Sequence, residues 1–276
     1  MKTTKAGLPF DCYPSVASGD YSFLLPIIAE RKVTDVVIAG GDGTINQVIN
    51  SLRSQDVQFG IIPCGSGNGL ALSAGIPTSI TRALKVIFEG KSEPTDAFMV
   101  NQTFACMLCG VGFDAQVAYD FANDPKRGLA TYIKQTVKNF FTAKAYTFKV
   151  SANNRKFETE AFFISIANSN QFGNNFKIAP KASLTDGMLD IVIMTKQNKL
   201  SMLLQAAKQI SGFNQLQEVE VIDEKSSLLY FQAKKVSIAN HGNAPLHVDG
   251  DPVETADKIT AELLPGCFRL IYPVLK

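Results

Sequence analysis

Apolar positions in the first third of the chain follow two different periods. VTDVVIAG (33–40) and VQFGIIPCG (57–65) are short apolar runs that end in glycine, the pattern of buried strands. Between them, Ile45, Val48, Ile49 and Leu52 recur at helical spacing within INQVINSLRS, 45–54. FLLPIIAERK (23–32), a stretch from Leu70, and TRALKVIFEG (81–90) predict further helices. Strands alternating with helices imply a parallel α/β sheet whose ligand-binding loops lie at the carboxyl ends of the strands.

Beyond Asp96 the pattern changes. AFMVNQTFACMLCGVGF (97–113), YTFKVSANNRKFETEAFFISIANS (146–169) and MLDIVIMTK (188–196) are strand-like runs separated by turn residues. LLYFQAKKVSIAN (228–240) and KITAELLPGCFRLIYPV (258–274) continue in the same style. Two helical stretches, GLATYIKQTVKNFFTAK (128–144) and LSMLLQAAKQISGF (200–213), interrupt them. The expected fold is an N-terminal α/β nucleotide-binding domain over 1–95, with 266–276 as a candidate to complete it. A mostly antiparallel β-sandwich domain over 96–265 follows.

Composition narrows the function classes. With 276 residues, 46% apolar content and a net charge of +2, the chain reads as a soluble globular protein rather than a disordered tail or a strongly basic nucleic-acid binder. No apolar run approaches the ~20 residues of a membrane-spanning helix, and the opening MKTTKAGLPFDCYPSV lacks the apolar centre of a secretory signal. Membrane contact is therefore expected to be peripheral, and GLATYIKQTVKNFFTAK is the candidate interfacial helix: it sets Leu129, Ile133, Phe140 and Phe141 beside Lys134, Lys138 and Lys144. Such a stripe is more often core packing, which is the preferred reading of it. Five scattered cysteines (12, 64, 106, 109 and 267) indicate a reducing compartment. Cys106 and Cys109 lie three apart in a strand-like run, so their side chains point to opposite faces and do not suggest a shared metal. Two histidines, His241 and His247, exclude a multi-histidine zinc site.

The chemistry is concentrated in Gly40-Gly41-Asp42-Gly43-Thr44, where a strand runs into a helix. Glycines there allow a tight turn and close approach to a ligand, and the amides of the following helix attract an anion. An aspartate among them fits a phosphate site if a divalent cation accompanies the phosphates. It also fits a helix cap supplied by Asp42 or Thr44. A second loop, Pro63-Cys64-Gly65-Ser66-Gly67-Asn68-Gly69, repeats the strand–loop–helix arrangement. Ser66 offers a hydroxyl donor, and Asn68 either caps the next helix or reaches a nucleotide.

Together GGDGTINQVIN and IPCGSGNGLA resemble the catalytic domain shared by diacylglycerol, sphingosine and ceramide kinases. Gly110-Val-Gly-Phe-Asp114, Ile178-Ala-Pro-Lys-Ala-Ser-Leu-Thr-Asp186-Gly-Met and Val248-Asp249-Gly250-Asp251 match further elements in the family's order. The resemblance implies the NAD kinase/diacylglycerol kinase-like fold and transfer of the ATP γ-phosphate to a lipid hydroxyl with Mg²⁺. It assigns the nucleotide to Gly40, Gly41, Asp42, Gly43, Thr44, Asn46, Gly65, Ser66, Gly67 and Asn68, with Asp42 and Asp96 in the Mg²⁺ network. It makes Asp251 the proton acceptor, one methylene shorter than the usual glutamate, with Asp249 as its partner, and places Asp114 near the lipid headgroup. A second, structural Mg²⁺ is implied at Asp186 and the carbonyls of Ser183 and Met188, where the residues alone also suit an ordinary Asp-Gly turn. The implied partners are a lipid alcohol and a membrane surface, with a homodimer as a candidate assembly and a cytoplasmic, peripherally membrane-associated location.

Family members usually open with a strand and an Asn-Pro-x-Ser-Gly turn, which this sequence lacks. The expectation is a short or truncated start and a sheet without that strand. A lipid-binding module of the same fold that has lost turnover is the competing reading. NAD kinase is a third, disfavoured by the Gly-Ser-Gly-Asn loop and by Asp249-Gly-Asp251.

Overall fold

The computed structural model describes residues 9–124, 142–173, 176, 177, 179–196 and 228–274, together with 131, 135, 136, 138 and 139. In chain order the elements begin with α1 (Leu25–Arg31), β1 (Asp35–Gly40), α2 (Asp42–Leu52), β2 (Gln58–Pro63), α3 (Gly69–Ser73) and α4 (Ile80–Glu89). Then come β3 (Lys91–Val100), β4 (Thr103–Ala105), β5 (Leu108–Gly112), α5 (Phe113–Asn123), β6 (Tyr146–Ala152), β7 (Arg155–Ala167), β8 (Gln171–Gly173) and β9 (Phe176–Lys177). The remaining described elements are strands: β10 (Leu189–Thr195), β11 (Leu228–Ala233), β12 (Lys235–Ala239), β13 (Leu246–Val248), β14 (Asp251–Val253) and β15 (Lys258–Tyr272).

The N-terminal part is α/β, as its alternating pattern predicts. β1 and β2 pair in parallel from Asp35↔Gln58 to Gly40↔Pro63, so both glycine loops leave the sheet at the same edge. All four helical positions of the sequence, Ile45, Val48, Ile49 and Leu52, are buried on α2. The helix begins earlier than expected: Asp42, Gly43 and Thr44 form its first turn, because the Ile45 amide bonds back to the Gly41 carbonyl. FLLPIIAERK likewise opens with a 3₁₀ turn at Ser22–Leu24 before α1.

The C-terminal part is mostly antiparallel sheet. β7 is flanked by β6 over its first half and by β5 and β10 over its second, where Ala161–Ala167 is buried at every position. Such a run is covered on both faces and loses the alternation of a half-exposed strand. β15 is shared between the two parts. It pairs with β12 near its start, with β3 along most of its length, and in parallel with β2 at Arg269 and Leu270. A register shift between Leu264 and Phe268 bends it midway.

One run departs from its expected form. TFACMLCGVGF is two strands, β4 and β5, broken at Cys106 and Met107. All five cysteines are free thiols. Of the interfacial-helix residues, Leu129, Ile133, Lys134, Phe140 and Phe141 lie outside the described residues, as does the helix expected over 200–213; Lys138 pairs with Asp120 at 3.3 Å. Among the described residues no helix is long and apolar enough to cross a membrane.

Candidate functional site

The two glycine loops touch. The Gly40 carbonyl at the end of β1 accepts the Cys64 amide at 2.9 Å, which draws the second loop onto the first. A Cβ on Gly65 would stand 2.6 Å from the Gly41 Cα, and one on Gly41 would stand 3.1 Å from the Gly65 Cα. At Gly65 a side chain would force the loops apart, and at Gly41 it would press on the facing backbone, because backbone lies against backbone. Asn68 then locks the second loop. Its side-chain oxygen accepts the Gly65 amide and its Nδ2 donates to the Gly65 carbonyl, both at 2.8 Å, so it clasps its own loop instead of capping α3.

Asp42 supplies the cap for α3. Its carboxylate accepts the amides of Gly69 at 3.0 Å and Leu70 at 3.2 Å, reaching across from the first turn of α2. No side chain caps α2 itself; the extended backbone of Gly41 occupies that position. Burial pushes the Asp42 carboxyl above its ordinary value, and the amides of the second loop pull it back. The carboxylate keeps lone pairs beyond those two amides, so holding the loop and meeting a cation are compatible.

The third part of the site is a hairpin. β13 and β14 are joined by Asp249 and Gly250 alone, at φ +50° and +89°, the left-handed pair that tight two-residue hairpins require. Asp249 is held by four donors: Asn46 Nδ2 at 2.7 Å and the amides of Cys106, Met107 and Leu108 at 2.8, 2.9 and 3.0 Å. These three amides belong to the break between β4 and β5, which explains the break: a carboxylate from the hairpin takes amides that a continuous ladder would use. Desolvation raises the Asp249 carboxyl, and its donors oppose that shift. Asn46 also donates to the Phe104 carbonyl at 3.1 Å, so its amide joins α2 to the hairpin. Asp251, the residue after the turn, is exposed, and its Oδ2 lies 3.9 Å from where a Cβ on Gly43 would stand. The structure thus brings Asp42, Gly43, Asn46, Asp249 and Asp251 together around the first turns of α2.

Asp96 holds a different junction. One of its oxygens accepts the Gly187 amide at 2.8 Å, and the other accepts the Gly266 amide at 2.7 Å. It thereby ties the Ser183–Met188 turn to the bend in β15. Within that turn Asp186 accepts the Met188 amide at 3.0 Å, and burial followed by the nearby Asp96 charge raises its carboxyl. Asp190, on the adjoining strand, is buried and accepts the Tyr230 hydroxyl, and desolvation lifts its pKa to about 7. Among the described residues no three acidic, histidine or cysteine side chains are grouped as a metal cage.

His247 escaped the reading of the sequence. It is buried on β13, directly opposite Gly110 of β5, and its Nε2 lies 3.6 Å from Asp114 Oδ2. Asp114 opens α5, and its other oxygen accepts the Ala115 amide at 2.9 Å. Burial is the main cause that pushes its carboxyl up, with His247 drawing it down. The available signal was Leu-His-Val immediately before Asp-Gly, an inward-facing position on a hairpin strand. An open groove of about 320 Å³ lies between α5 and the β13–β14 hairpin, lined by Ala115, Gln116, Tyr119, Leu246, Pro252 and Val253.

Comparison with known proteins identifies similar chains. The profile of the diacylglycerol kinase catalytic domain matches residues 1–100, and that of the YegS C-terminal NAD kinase beta sandwich-like domain matches residues 108–272. A diacylglycerol kinase of Bacillus subtilis (strain 168) is 26% identical over 99% of this chain and 86% of its own length. A Shewanella frigidimarina protein named "Probable lipid kinase YegS-like" is 27% identical over 91% of this chain and 80% of its own. The crystal structure of a diacylglycerol kinase from Bacillus anthracis superposes with a TM-score of 0.70 at 21% identity, covering 94% of this chain and 83% of that one.

Proposed function

The chain belongs to the diacylglycerol kinase and YegS-like family of lipid kinases, and from that premise we propose that it transfers the γ-phosphate of ATP to the hydroxyl of a diacylglycerol- or sphingoid-type alcohol, with Mg²⁺. The observation that carries this reading is the exposed Asp251 carboxylate looking onto Gly43 in the first turn of α2, two residues after the Gly41–Gly65 contact of the glycine loops. A carboxylate at the mouth of a phosphate cradle is placed to accept a proton from an alcohol attacking the terminal phosphate.

The amides of Gly41, Gly43, Thr44 and Gly67 and the hydroxyls of Ser66 and Thr44 would be the donors to the ATP phosphates, while the Gly65 amide is taken by Asn68, which shapes the loop. In the transfer, the lipid oxygen forms a bond to the γ-phosphorus as the bond to the bridging oxygen breaks. That electron pair leaves with ADP, and the proton of the alcohol passes to Asp251. Asp42 is the residue here suited to Mg²⁺, which typically takes one or two carboxylates and completes its shell with phosphates and water. When bound, the ion offsets the charge gathered on the phosphates. Asp96 contributes negative charge from the adjoining junction. Asp186 and the carbonyls of Ser183 and Met188 would hold a second cation, which would steady the turn tied to Asp96. Asp114 serves the acceptor side, beside the groove at α5. The lipid enters from a membrane surface on which the protein docks peripherally.

The test is incubation with labelled ATP, Mg²⁺ and a panel of lipid alcohols, for the parent chain and for Asp251→Asn and Asp42→Asn. Phosphorylated lipid from the parent is expected, with turnover falling on the order of a hundredfold or more for Asp251→Asn at nearly constant ATP affinity. Lipid binding without product would identify a binding module that has lost turnover. Full activity of Asp251→Asn would remove the proposed proton acceptor.

A further inference from the structure

His247 stands between two residues of the site without belonging to either glycine loop. Its Nδ1 accepts the amide of Gly250 at 3.2 Å. An Nδ1 that accepts leaves the ring proton on Nε2, and Nε2 faces Asp114 Oδ2 at 3.6 Å. The imidazole thus spans from a buried carboxylate on α5 to the peptide between Asp249 and Gly250, one residue before Asp251. Gly110 makes room for it. A Cβ there would lie 1.9 Å from Asp114 Oδ2 and 2.6 Å from His247 Nε2, so only glycine lets the two side chains face each other across β5.

We infer that His247 is a positioning residue: facing Asp114 on one side, it accepts the Gly250 amide on the other and so sets the direction in which Asp251 presents its carboxylate to the acceptor hydroxyl. The physical need is plain. A two-residue turn with Asp249 and Gly250 both at positive φ pivots easily about its glycine, and Asp251 sits one peptide beyond it. Asp249 anchors one side of the turn through the amides at the β4–β5 break, and His247 anchors the other. Proton transfer is sensitive to placement on the scale of an ångström, so the second anchor bears on rate more than on nucleotide affinity.

The inference rests on Asp251 being the proton acceptor, and the experiment separates the two. His247→Asn retains an acceptor near Nδ1, whereas His247→Gln retains a donor near Nε2 and gives up the bond to Gly250. Both are compared with His247→Ala, each alone and combined with Asp251→Asn, by lipid-kinase kinetics and by hydrogen exchange at the Gly250 amide. Expected are near-parent kcat and Gly250 protection for Asn, and for Gln and Ala a loss on the order of tenfold or more in kcat with KM for ATP within about twofold. In the Asp251→Asn background the Ala substitution should cost little further, because the group it positions is gone. Equal behaviour of the Asn and Gln variants, or an undiminished loss in that background, would overturn the role of His247. Parent-like turnover of Asp251→Asn alone would instead overturn the proton acceptor. The Asn and Gln variants preserve a polar, similarly sized side chain, so the comparison survives if the Ala variant fails to fold.

Discussion

Asp249→Asn decides between two accounts of that aspartate, a partner in chemistry and a pin for the hairpin. The native carboxylate accepts two donors on each oxygen: Asn46 and the Cys106 amide on one, the Met107 and Leu108 amides on the other. Asparagine keeps the shape but turns one oxygen into a donor. Whichever way the new amide is oriented, two buried donors lose their acceptor. Each costs about 1–3 kcal/mol, a total of about 2–6 kcal/mol. Burial already disfavours the native charge, and its removal returns part of that cost, so about 2–4 kcal/mol is the expected loss. Urea unfolding measures it, as a lower midpoint with an unchanged slope. Turnover should fall together with stability, because a loosened hairpin no longer aims Asp251. A variant with stability within about 0.5 kcal/mol of the parent, the range of neutral surface changes, but without turnover would refute the pin and return Asp249 to the chemistry.

Other substitutions probe the remaining contacts. Gly65→Ala sets a Cβ 2.6 Å from the Gly41 backbone, so the loops must part; a strain of about 1–3 kcal/mol and weaker ATP binding by nucleotide titration are expected, and unchanged affinity would show that loop contact does not shape the cradle. Gly110→Ala drives a methyl into two buried polar side chains, and a loss above about 3 kcal/mol by urea unfolding is expected, against none if Asp114 and His247 can separate freely. Asp190 holds a proton in the fold up to about pH 7, whereas its ordinary value is 3.8. The folded chain therefore binds more protons between those limits, and this contribution to stability is full below about pH 4 and lost as pH rises through about 7. Asp190→Asn should flatten that slope in urea midpoints taken across the range; an unaltered slope would assign it to another group.

Much of the fold follows from local pattern, and what does not has a common cause. The apolar spacing of Ile45, Val48, Ile49 and Leu52 marks the buried face of α2, because a helix repeats within a few residues. The two glycine loops are recognisable for the same reason. The first residues of β3 are not: Lys91–Thr95 contains charges and Pro94, which argue against a strand. Pro94 is admitted because it pairs only with Arg269 of β15, β4 meeting β3 further along. The break at Cys106 was equally hidden, since the carboxylate that causes it lies 143 residues away in sequence. Asp42 could be singled out as a cap or a cation ligand, but its amide partners, at Gly69 and Leu70, belong to the other loop. His247 was passed over because its partners are fixed by strand register across β5 and β13, which no local period encodes.

A carboxylate between glycines looks misplaced in a phosphate cradle only while its own partners are unknown. Asp42 and Asp249 each accept at least two backbone amides from one distant segment, and Asp96 accepts one from each of two, so each is first a clamp: loop to loop, hairpin to strand break, turn to bent strand. Amide clamps hold negative charge in fixed directions before any ligand arrives, and a polar environment that need not reorganise is what stabilises charge movement during transfer. The glycines complete this logic. Gly41 and Gly65 let the loops close until Asp42 reaches the α3 amides, and Gly43 leaves open the space onto which Asp251 looks. Under the proposed function, repulsion between Asp42 and phosphate would be the cost of a clamp that shapes the loops, and a divalent cation would relieve it. On this account, loop geometry and cation binding are coupled through one side chain: loosening the Asp42 clamp should weaken both together, and a change in either alone would separate them.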